Sequence, residues 1–433
     1  MKILQICNKS PYPPKEGGPM AMYAMTQLML QAGCEVKILA VNSPKCYVKA
    51  EDTDNEFLRQ TDIEWCYIDT SLKVRSALSA LLRNRSYHVE RFISTDFEQK
   101  LKELLQQETF DLIQIETIYL AVYLPAIRRY SNAAVLLRAH NIEHMIWERV
   151  ARNCHNPFKK IYLRILSRQL KRFEDRALSA FDGILAISNV DEAYFRTRTT
   201  TPCVTSPYSL DSTSLPMPEG KDAVRTNDAA RTDASVRTDV SVRTDASAQT
   251  DVSARTNLFS IASMNWEPNI EGIQWFLKRC WPRIRKNHPD LTFRIAGRQM
   301  PANWKSDPSQ GIEMVGEVPD AGTFMRENGI LVVPLLSGSG IRIKIIEGMS
   351  WGKTIVTTSI GTEGIDTRHG QELYIADSPE AFADAIDHCL SHPEACRRMG
   401  QTAAAFIRDH FDATVVGAKL MQFYRTILQT PEK

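Results

Sequence analysis

The chain has 433 residues, of which 43% are apolar and 24% are charged, and its formal net charge is +2. A chain of this length exceeds one hydrophobic core and has the composition of a folded globular protein, so we expect two domains. The near-neutral charge does not indicate a nucleic-acid partner. The nine cysteines form no C-x-x-C pair, which favours buried thiols in a reducing cytosol over a disulfide framework.

The N-terminus "MKILQICNKS" lacks the long apolar stretch and the cleavage site of a signal peptide, and it predicts a first strand. No apolar run approaches ~20 residues, the length that a membrane-spanning helix needs. We therefore expect a cytoplasmic protein.

Strand and helix signals alternate through the first half of the chain. The predicted strands are "KILQIC" (2–7), "EVKILAV" (35–41), "DIEWCYI" (62–68), "FDLIQIE" (110–116), "AAVLLRA" (133–139) and "DGILAIS" (182–188). Sustained alternation predicts a doubly wound parallel sheet, in which ligands bind at the carboxyl ends of the strands.

Three polar motifs of this half bear on function. Gly17 and Gly18 follow the first strand and precede a helix, but without the G-x-G-x-x-G spacing of a dinucleotide site; a close approach to a ligand and a plain tight turn both remain open. "EDTD" (51–54) contains D-x-D, which can hold a metal-bound nucleotide sugar. No strand end precedes it, so a solvated loop is the favoured interpretation.

His140 leaves the end of a predicted strand in "RAHNIEHMIWER" (138–149), which places it at the expected ligand edge. The same stretch contains H-x-x-E-H, the inverted zinc-peptidase pattern. That pattern needs both histidines within a helix, whereas here the first lies at a strand–helix junction. A functional His140 is favoured, and packing in the core is the alternative.

The segment 156–178, "NPFKKIYLRILSRQLKRFEDRAL", is basic and has apolar residues at helical spacing. Two interpretations stay open: a solvated helix packed on the sheet, or a helix that docks on anionic lipid headgroups and makes the protein peripheral at the inner membrane face.

A hexapeptide repeat follows in residues 224–257, with arginines recurring at six-residue steps and no large apolar residue. Such a segment cannot bury a core, so we expect it to be disordered.

The second half returns to strand–helix alternation. Its predicted strands are "LFSIASM" (258–264), "LTFRIAG" (291–297), "GIEMVGE" (311–317), "ILVVPLL" (330–336), "KTIVTT" (353–358) and "ELYIA" (372–376). The chain therefore predicts an α/β protein with two Rossmann-like domains that face each other across a cleft.

The stretch "SGSGIRIKIIEGMSWGK" (337–353) joins a buried strand to a helix through a glycine-rich turn. Gly338 and Gly340 allow close backbone approach, and Ser339 is expected to cap the helix. The helix N-terminus and Lys344 suit a phosphate, and Glu347, one turn further, suits ribose hydroxyls. A nucleoside diphosphate site is predicted, with an ordinary surface helix as the alternative.

These residues resemble the retaining, nucleotide-sugar-dependent glycosyltransferases of family 4, which have the GT-B fold of two Rossmann-like domains. The resemblance covers nearly the whole chain apart from 221–257. It is most specific in "SMNWEPNIEGIQWFL" (263–277), "FRIAGR" (293–298), "GSGIRIKIIEGMSWGKTIVTT" (338–358) and "GTEGI" (361–365).

The resemblance implies a role for each matching position. Arg298 and Lys344 bind the donor diphosphate, and Glu347 holds the ribose. His140 contacts the donor sugar near the reacting carbon. The remaining donor-binding positions are Gly17, Gly18, Gly338, Gly340, Thr362, Glu363 and Gly364. The family often has a glutamate where this chain has Ser339, so the resemblance does not identify the sugar.

The resemblance implies a metal-independent transfer from a nucleotide sugar, linked to UDP or GDP, to a glycan or lipid-linked acceptor of a bacterial envelope polysaccharide. The alternatives are a sugar-nucleotide 2-epimerase of the same fold and a non-catalytic sugar-nucleotide-binding protein. The expected divisions of the chain are an acceptor domain (1–205), a crossing with the repeat (206–257), a nucleotide-sugar domain (258–410) and a C-terminal helix (411–433) that could return to the first domain.

Overall fold

The computed structural model describes residues 1–49, 51, 55–154, 156–211, 257–338 and 340–429. The repeat and most of "EDTD" lie outside the described residues, as does Ser339 with its predicted cap.

The N-terminal domain is built on a seven-stranded parallel sheet in the order β3-β2-β1-β4-β5-β6-β7. The strands are β1 Lys2–Cys7, β2 Glu35–Asn42, β3 Glu64–Tyr67, β4 Leu112–Ile115, β5 Ala134–Ala139, β6 Gly183–Ala186 and β7 Cys203–Thr205. The helices are α1 Gly17–Gln31, α2 Asn55–Thr61, α3 Val74–Leu82, α4 Tyr87–Glu90, α5 Thr95–Gln107, α6 Leu124–Tyr130, α7 Glu143–Asn153, α8 Pro157–Ala177 and α9 Asn189–Arg196.

The C-terminal domain has a six-stranded parallel sheet in the order β10-β9-β8-β11-β12-β13. Its strands are β8 Asn257–Ile261, β9 Thr292–Ala296, β10 Ile312–Gly316, β11 Ile330–Val333, β12 Ile355–Thr357 and β13 Tyr374–Ile375. The helices are α10 Glu267–Trp275, which continues as a π-helical turn over Phe276–Cys280, α11 Trp281–Asn287, α12 Ala321–Glu327, α13 Ile343–Ser350, α14 Pro379–Ser391, α15 Pro393–Phe411 and α16 Ala413–Gln429.

The two parallel sheets confirm the predicted pair of Rossmann-like domains. Each predicted strand is present, and β7, with three residues, is an additional strand that the sequence did not predict. Apolar β-branched residues of the central strands are buried on both faces of each sheet, since helices cover both sides.

The strand order reverses between β1 and β4 in one sheet and between β8 and β11 in the other. In open α/β sheets, ligands bind at such switch points, beyond the carboxyl ends of the strands. Both switch points open on the same cleft, because residues that follow β1, β5, β8 and β11 line one common cavity.

The last helix, α16, packs on the N-terminal domain rather than on the domain that precedes it. Its buried side chains Val416, Leu420, Tyr424 and Ile427 share a core cluster with the first strands. The Tyr424 hydroxyl donates a hydrogen bond to Gln114 of β4. The chain therefore crosses between the domains twice, and the two crossings are joined by backbone hydrogen bonds from Leu210 N to Phe411 O (2.8 Å) and from Ala413 N to Leu210 O (2.9 Å).

Candidate active site

A cavity of about 1380 Å³ lies between the two domains, and residues from both sheets form its wall. It brings together seven of the eleven residues predicted from the sequence, which are Gly17, Gly18, His140, Gly338, Gly340, Lys344 and Glu347. A cavity of this volume exceeds the usual range for a drug-sized ligand, so it has room for a nucleotide sugar and part of an acceptor.

Lys344 lies in the first turn of α13, where Ile345, Ile346 and Met349 bury the opposite face of the helix against the sheet. Its Nζ donates a hydrogen bond to Asn269 Oδ1 at 2.9 Å. Burial, together with the neighbouring Arg342, lowers the pKa of Lys344 to about 7. An anion beside this ammonium group would restore its charge.

Glu347 lies one helical turn after Lys344 and also lines the cavity. Burial raises the pKa of its carboxyl to about 7, and Asp320 adds to the increase. The site therefore holds an acid and a base that both change charge near neutral pH. Groups of this kind in a cleft are frequent at functional sites.

The turn before α13 is shaped by glycines that no other residue could replace without strain. Gly338 has φ 117° and Gly340 has φ 80°, both in the region that favours glycine. A Cβ on Gly340 would lie 2.6 Å from Asn141 Oδ1, across the cleft. The turn is therefore a point of close contact between the domains as well as part of the cavity wall.

Arg342, and not the predicted Ser339, occupies the position immediately before α13, and its side chain does not cap the helix. Its NH1 donates to Gly340 O at 2.5 Å, and the guanidinium lies 5.3 Å from the centroid of the Trp266 ring. Burial lowers the pKa of Arg342 to about 10, so the group stays cationic at neutral pH. It adds a second positive charge to the cavity wall beside Lys344.

His140 follows β5 and lies on the N-terminal wall of the cavity, with 18% of its side chain exposed. Its Nε2 is 2.9 Å from Glu116 Oε2, a fully buried carboxylate at the end of β4. The second histidine of the H-x-x-E-H pattern, His144, pairs instead with Glu174. Among the described residues, no group of three or more His, Cys, Asp or Glu side chains could hold a metal ion.

Four of the predicted residues do not line the cavity. Arg298 pairs with Glu317 Oε1 at 3.1 Å, and its NH1 donates to Lys15 O across the cleft at 3.2 Å. The others, Thr362, Glu363 and Gly364, lie in the loop after β12, where Gly364 approaches Ser188 of the N-terminal domain. Arg298, Glu363 and Gly364 contact the N-terminal domain in this structure, whereas the Thr362 hydroxyl bonds to Ser359 O within its own loop.

Arg149 of α7 links the domains through that loop. It binds the Glu363 carboxylate with two hydrogen bonds of 2.6 and 2.9 Å, and it also donates to Gly338 O. Two further polar contacts cross the cleft, Asn265 Nδ2 to Glu16 Oε1 at 2.9 Å and Asn189 Nδ2 to Asp366 Oδ2 at 2.6 Å. The structure therefore shows the two domains closed on each other.

Sequence reasoning missed several residues of the site, namely Glu116, Arg138, Arg149, Trp266, Asn269 and Arg342. Polar residues in otherwise apolar strand ends, as in "LIQIE" and "LLRAH", were the available signal for Glu116 and Arg138. Nothing local to Arg149 pointed to its partners, which lie 189 and 214 positions further along the chain.

Residues 255–392, which form most of the C-terminal domain, match the family model of glycosyl transferases group 1. Over 438 aligned residues, the chain is 21% identical to an uncharacterized 44.6 kDa protein in the cps region of Klebsiella pneumoniae, covering 97% of this chain and 99% of that protein.

Among solved structures, the chain is similar to sucrose-phosphate synthase from Thermosynechococcus elongatus, with a TM-score of 0.62, 13% identity and 99% of each chain covered. HepE from Anabaena, solved in complex with UDP-glucose, gives a TM-score of 0.61 at 12% identity, covering 98% of this chain and 100% of that one.

A mutant of TarM from S. aureus, in complex with Fondaparinux, alpha-GlcNAc-glycerol and UDP, gives a TM-score of 0.62 at 10% identity, with 99% and 100% covered. These comparisons confirm the GT-B fold and the resemblance to group 1 glycosyltransferases.

Proposed function

We propose that the protein is a retaining glycosyltransferase that moves a sugar from a nucleoside diphosphate sugar to a glycan or lipid-linked acceptor. The observation that carries this proposal is the position of Lys344 and Glu347, one turn apart on α13 and facing a cavity between two Rossmann-like domains. A cation and a carboxylate at this spacing match a diphosphate and a ribose. Solved proteins of similar fold bind UDP or UDP-glucose, which supports the same ligand class here.

The chemistry follows from where charge develops. When the bond between the sugar carbon and the β-phosphate oxygen breaks, negative charge accumulates on the phosphate. Lys344, Arg342 and the N-terminus of α13 line the cavity together. In this proposal they stabilise the charge on the phosphate, since they are already in place in the cavity wall. We propose that this stabilisation needs no metal ion and that the nucleotide sugar is the sole co-substrate. Activity that disappears on adding EDTA would contradict this point.

Retention requires the new bond to form on the face that the phosphate leaves. In the proposed step, the acceptor oxygen bonds to the sugar carbon on that face while its proton passes to the departing phosphate oxygen. NMR of the first product formed distinguishes retention from inversion. An inverted product would overturn the proposed step and assign the deprotonation to a protein base.

Arg298 contributes in this proposal only after a rearrangement. Its guanidinium pairs with Glu317 outside the cavity wall, so a diphosphate would have to replace that carboxylate. The backbone N–H groups of residues 362–364 are likewise proposed as phosphate ligands. The Arg149–Glu363 contact places the end of this loop beside Gly338.

Two other functions give different results in one assay. A 2-epimerase consumes a nucleotide sugar without an acceptor, whereas a binding protein turns over nothing. A thermal-shift screen against UDP, GDP and ADP identifies the nucleotide that raises the melting temperature most. Assay of sugars linked to that nucleotide, with and without an acceptor, then separates the three functions. Turnover that requires an acceptor supports the proposal, and acceptor-independent epimerisation or binding alone would contradict it.

The relative from a cps region supports an acceptor of envelope polysaccharide synthesis. We propose that this acceptor is reached at the inner face of the membrane, through a peripheral contact made by α8. No helix among the described residues is long and apolar enough to cross a bilayer. The first turns of α8 are exposed, with Phe158 at 83% and Ile161 at 56%, and Lys159 beside them lines the cavity.

A further inference from the structure

Glu116 is a charged group that the proposed reaction does not itself require, yet four side chains form hydrogen bonds with it. The side chain is completely buried at the end of β4. It accepts hydrogen bonds from Gln5 Nε2 and Gln114 Nε2, both at 2.7 Å, and from Arg138 NH1 at 3.2 Å. Its fourth partner is His140 Nε2 at 2.9 Å. A buried carboxylate with this set of donors can only accept.

The groups around Glu116 keep its carboxyl ionised. Burial alone would raise the pKa of its carboxyl, but the charge of Arg138 and the hydrogen bonds from His140 and Gln114 outweigh burial and lower the pKa to about 2. The group is therefore a carboxylate at any working pH, and the proton of the contact with His140 must lie on Nε2. In the neutral imidazole, this leaves Nδ1 with a free lone pair.

We propose that Glu116 is a positioning residue that holds His140 in the tautomer protonated on Nε2, so that Nδ1 accepts a hydrogen bond from a hydroxyl group in the cavity. The identity of that hydroxyl, as part of the transferred sugar or of its acceptor, rests on the proposed function. The tautomer of His140 does not depend on the proposed function. A carboxylate that orients an imidazole in this way determines which ring nitrogen faces the reactants.

Burial and three charged groups from the surrounding elements act on the pKa of His140, and their net effect favours the neutral imidazole. Burial lowers its pKa, Glu116 at the end of β4 opposes the decrease, and Arg138 of β5 and Lys9 after β1 add to it. Among the described residues, Nδ1 has no hydrogen-bond partner of its own. The side chain lines the cavity, where a sugar hydroxyl can supply that partner.

The same domain contains a matched pair for comparison. Glu174 accepts from His144 Nδ1 at 2.5 Å and from the backbone N–H groups of Glu143 and His144 at 3.0 and 3.1 Å. This pair is also buried, but neither residue lines the cavity. Glu174→Gln is therefore a control that removes a buried carboxylate from a histidine without touching the site.

The first experiment measures the tautomer without any substrate. Nitrogen-15 spectra of the full chain with labelled histidines identify His140 among the nine histidines by its loss in His140→Gln. From about pH 6 to about pH 8, we expect the ring to remain neutral and protonated on Nε2 in the wild type. The tautomer should become mixed in Glu116→Gln and stay unchanged in Glu174→Gln. A wild-type ring protonated on Nδ1 would overturn the inference.

The second experiment is a double-mutant cycle on turnover of the nucleotide sugar found by the screen. Glu116→Gln should lower kcat/KM about 10- to 100-fold, as loss of an orienting partner does at other functional imidazoles. In a His140→Ala background, the same change should cost less than about threefold, because no imidazole remains to be oriented. Equal losses in both backgrounds would show that Glu116 is merely structural. Absence of turnover in the wild type would count against the proposed function and leave the spectroscopic result intact.

Discussion

Lys344 and Glu347 change charge in the same pH range. Binding of the proposed donor needs Lys344 protonated and Glu347 deprotonated, so a change of pH in either direction removes one of the two charges. Above pH 7, Lys344 loses the charge that a diphosphate needs, because burial lowers its pKa to about 7. Below pH 7, Glu347 loses the charge that strengthens its bonds to ribose, because burial raises its pKa to about 7. The doubly charged form of the site is therefore most populated near neutrality.

We predict that donor affinity has a maximum near pH 7. On the alkaline side, the affinity should fall by up to about tenfold for each pH unit, because one required proton is lost. Lys344→Arg should flatten the alkaline limb, since a guanidinium keeps its charge, and Glu347→Gln should flatten the acidic limb. Isothermal titration with a nucleotide sugar is the suitable measurement, because its diphosphate does not titrate in this range. Affinity that is independent of pH in the wild type would contradict the assignment.

Adding one methyl group at Gly340 tests the close contact between the domains. Gly340→Ala combines a strained φ of 80° with a Cβ 2.6 Å from Asn141, whereas Gly370→Ala has a similar φ of 76° and nothing within 4 Å. Both variants should lose about 1–2 kcal/mol of stability from backbone strain. Only Gly340→Ala should also lose about 100-fold in turnover, because it displaces the two halves of the site.

Thermal melting and initial rates across donor concentrations measure these two effects separately. If Gly370→Ala loses as much turnover as Gly340→Ala, backbone strain and not the contact across the cleft explains the loss.

The two α13 residues could be predicted because their chemistry is local: a buried strand, a glycine turn and a helix lie within 20 positions of one another. The roles of Glu116 and Arg149 could not be predicted in this way. Glu116 obtains its function from Gln5, 111 positions away, and from His140, 24 positions away. Arg149 depends on Glu363, 214 positions away. Contacts of this kind are set by the sheet order and by domain closure, which a local pattern does not contain.

At the scale of elements, α8 packs on the N-terminal domain, and its exposed face is the one for which we propose a lipid contact. Leu163, Leu166 and Leu170 are buried, so the helix packs on the domain. The charge of Lys171 is neutralised by Asp175 at 2.6 Å. The exposed face retains Phe158 and Ile161, followed by Arg164 and Arg168, which have no ion pair with a described residue.

We predict that Arg164→Gln combined with Arg168→Gln weakens binding to anionic vesicles by about 2 kcal/mol, or roughly 30-fold, at about 1 kcal/mol for each charge. Arg397→Gln combined with Arg398→Gln removes the same charge from α15 of the other domain and should have little effect. Co-sedimentation with vesicles at low salt is the measurement. Wild-type protein that does not sediment with these vesicles would leave packing as the single role of α8.

The sequence predicted the strands that are continuous apolar runs. It predicted the ends of strands and helices less accurately, because tertiary contacts decide their lengths. "ILVVPLL" was predicted as a strand over 330–336, but β11 ends at Val333, because Pro334 has no N–H for the sheet ladder. The helix predicted after the glycine-rich turn begins at Ile343. The short helices α3 and α4 share a core cluster with α8.

At the scale of the whole molecule, several polar contacts link the two domains across the cleft. Arg149 is the most engaged of these residues, since it binds both Glu363 and Gly338 of the opposite domain. Polar contacts of this kind are readily broken, as the proposed entry and release of a nucleotide sugar require.

We predict that Arg149→Ala shifts the molecule towards an open form. The pair with Glu363 is about 30% exposed on each side, and solvent therefore limits its contribution to about 1 kcal/mol, or about fivefold in the closed population. Small-angle scattering should show a larger radius of gyration, and KM for the donor should rise by a similar factor. Arg196→Ala, which breaks an ion pair within the N-terminal domain, is the control. Identical scattering of all three proteins would contradict this role.

The central claim is that a nucleotide sugar binds in the cleft with its diphosphate on Lys344. Calorimetric titration of the wild type and of Lys344→Ala with UDP, GDP and ADP, near pH 7, tests it most directly. The account predicts saturable binding of at least one nucleotide by the wild type. It also predicts a loss of about 10- to 150-fold in Lys344→Ala, equivalent to about 1.5–3 kcal/mol for a charged hydrogen bond, with an unchanged melting temperature of the free protein. Equal affinity of the two proteins, or no binding of any of the three nucleotides by the wild type, would contradict it.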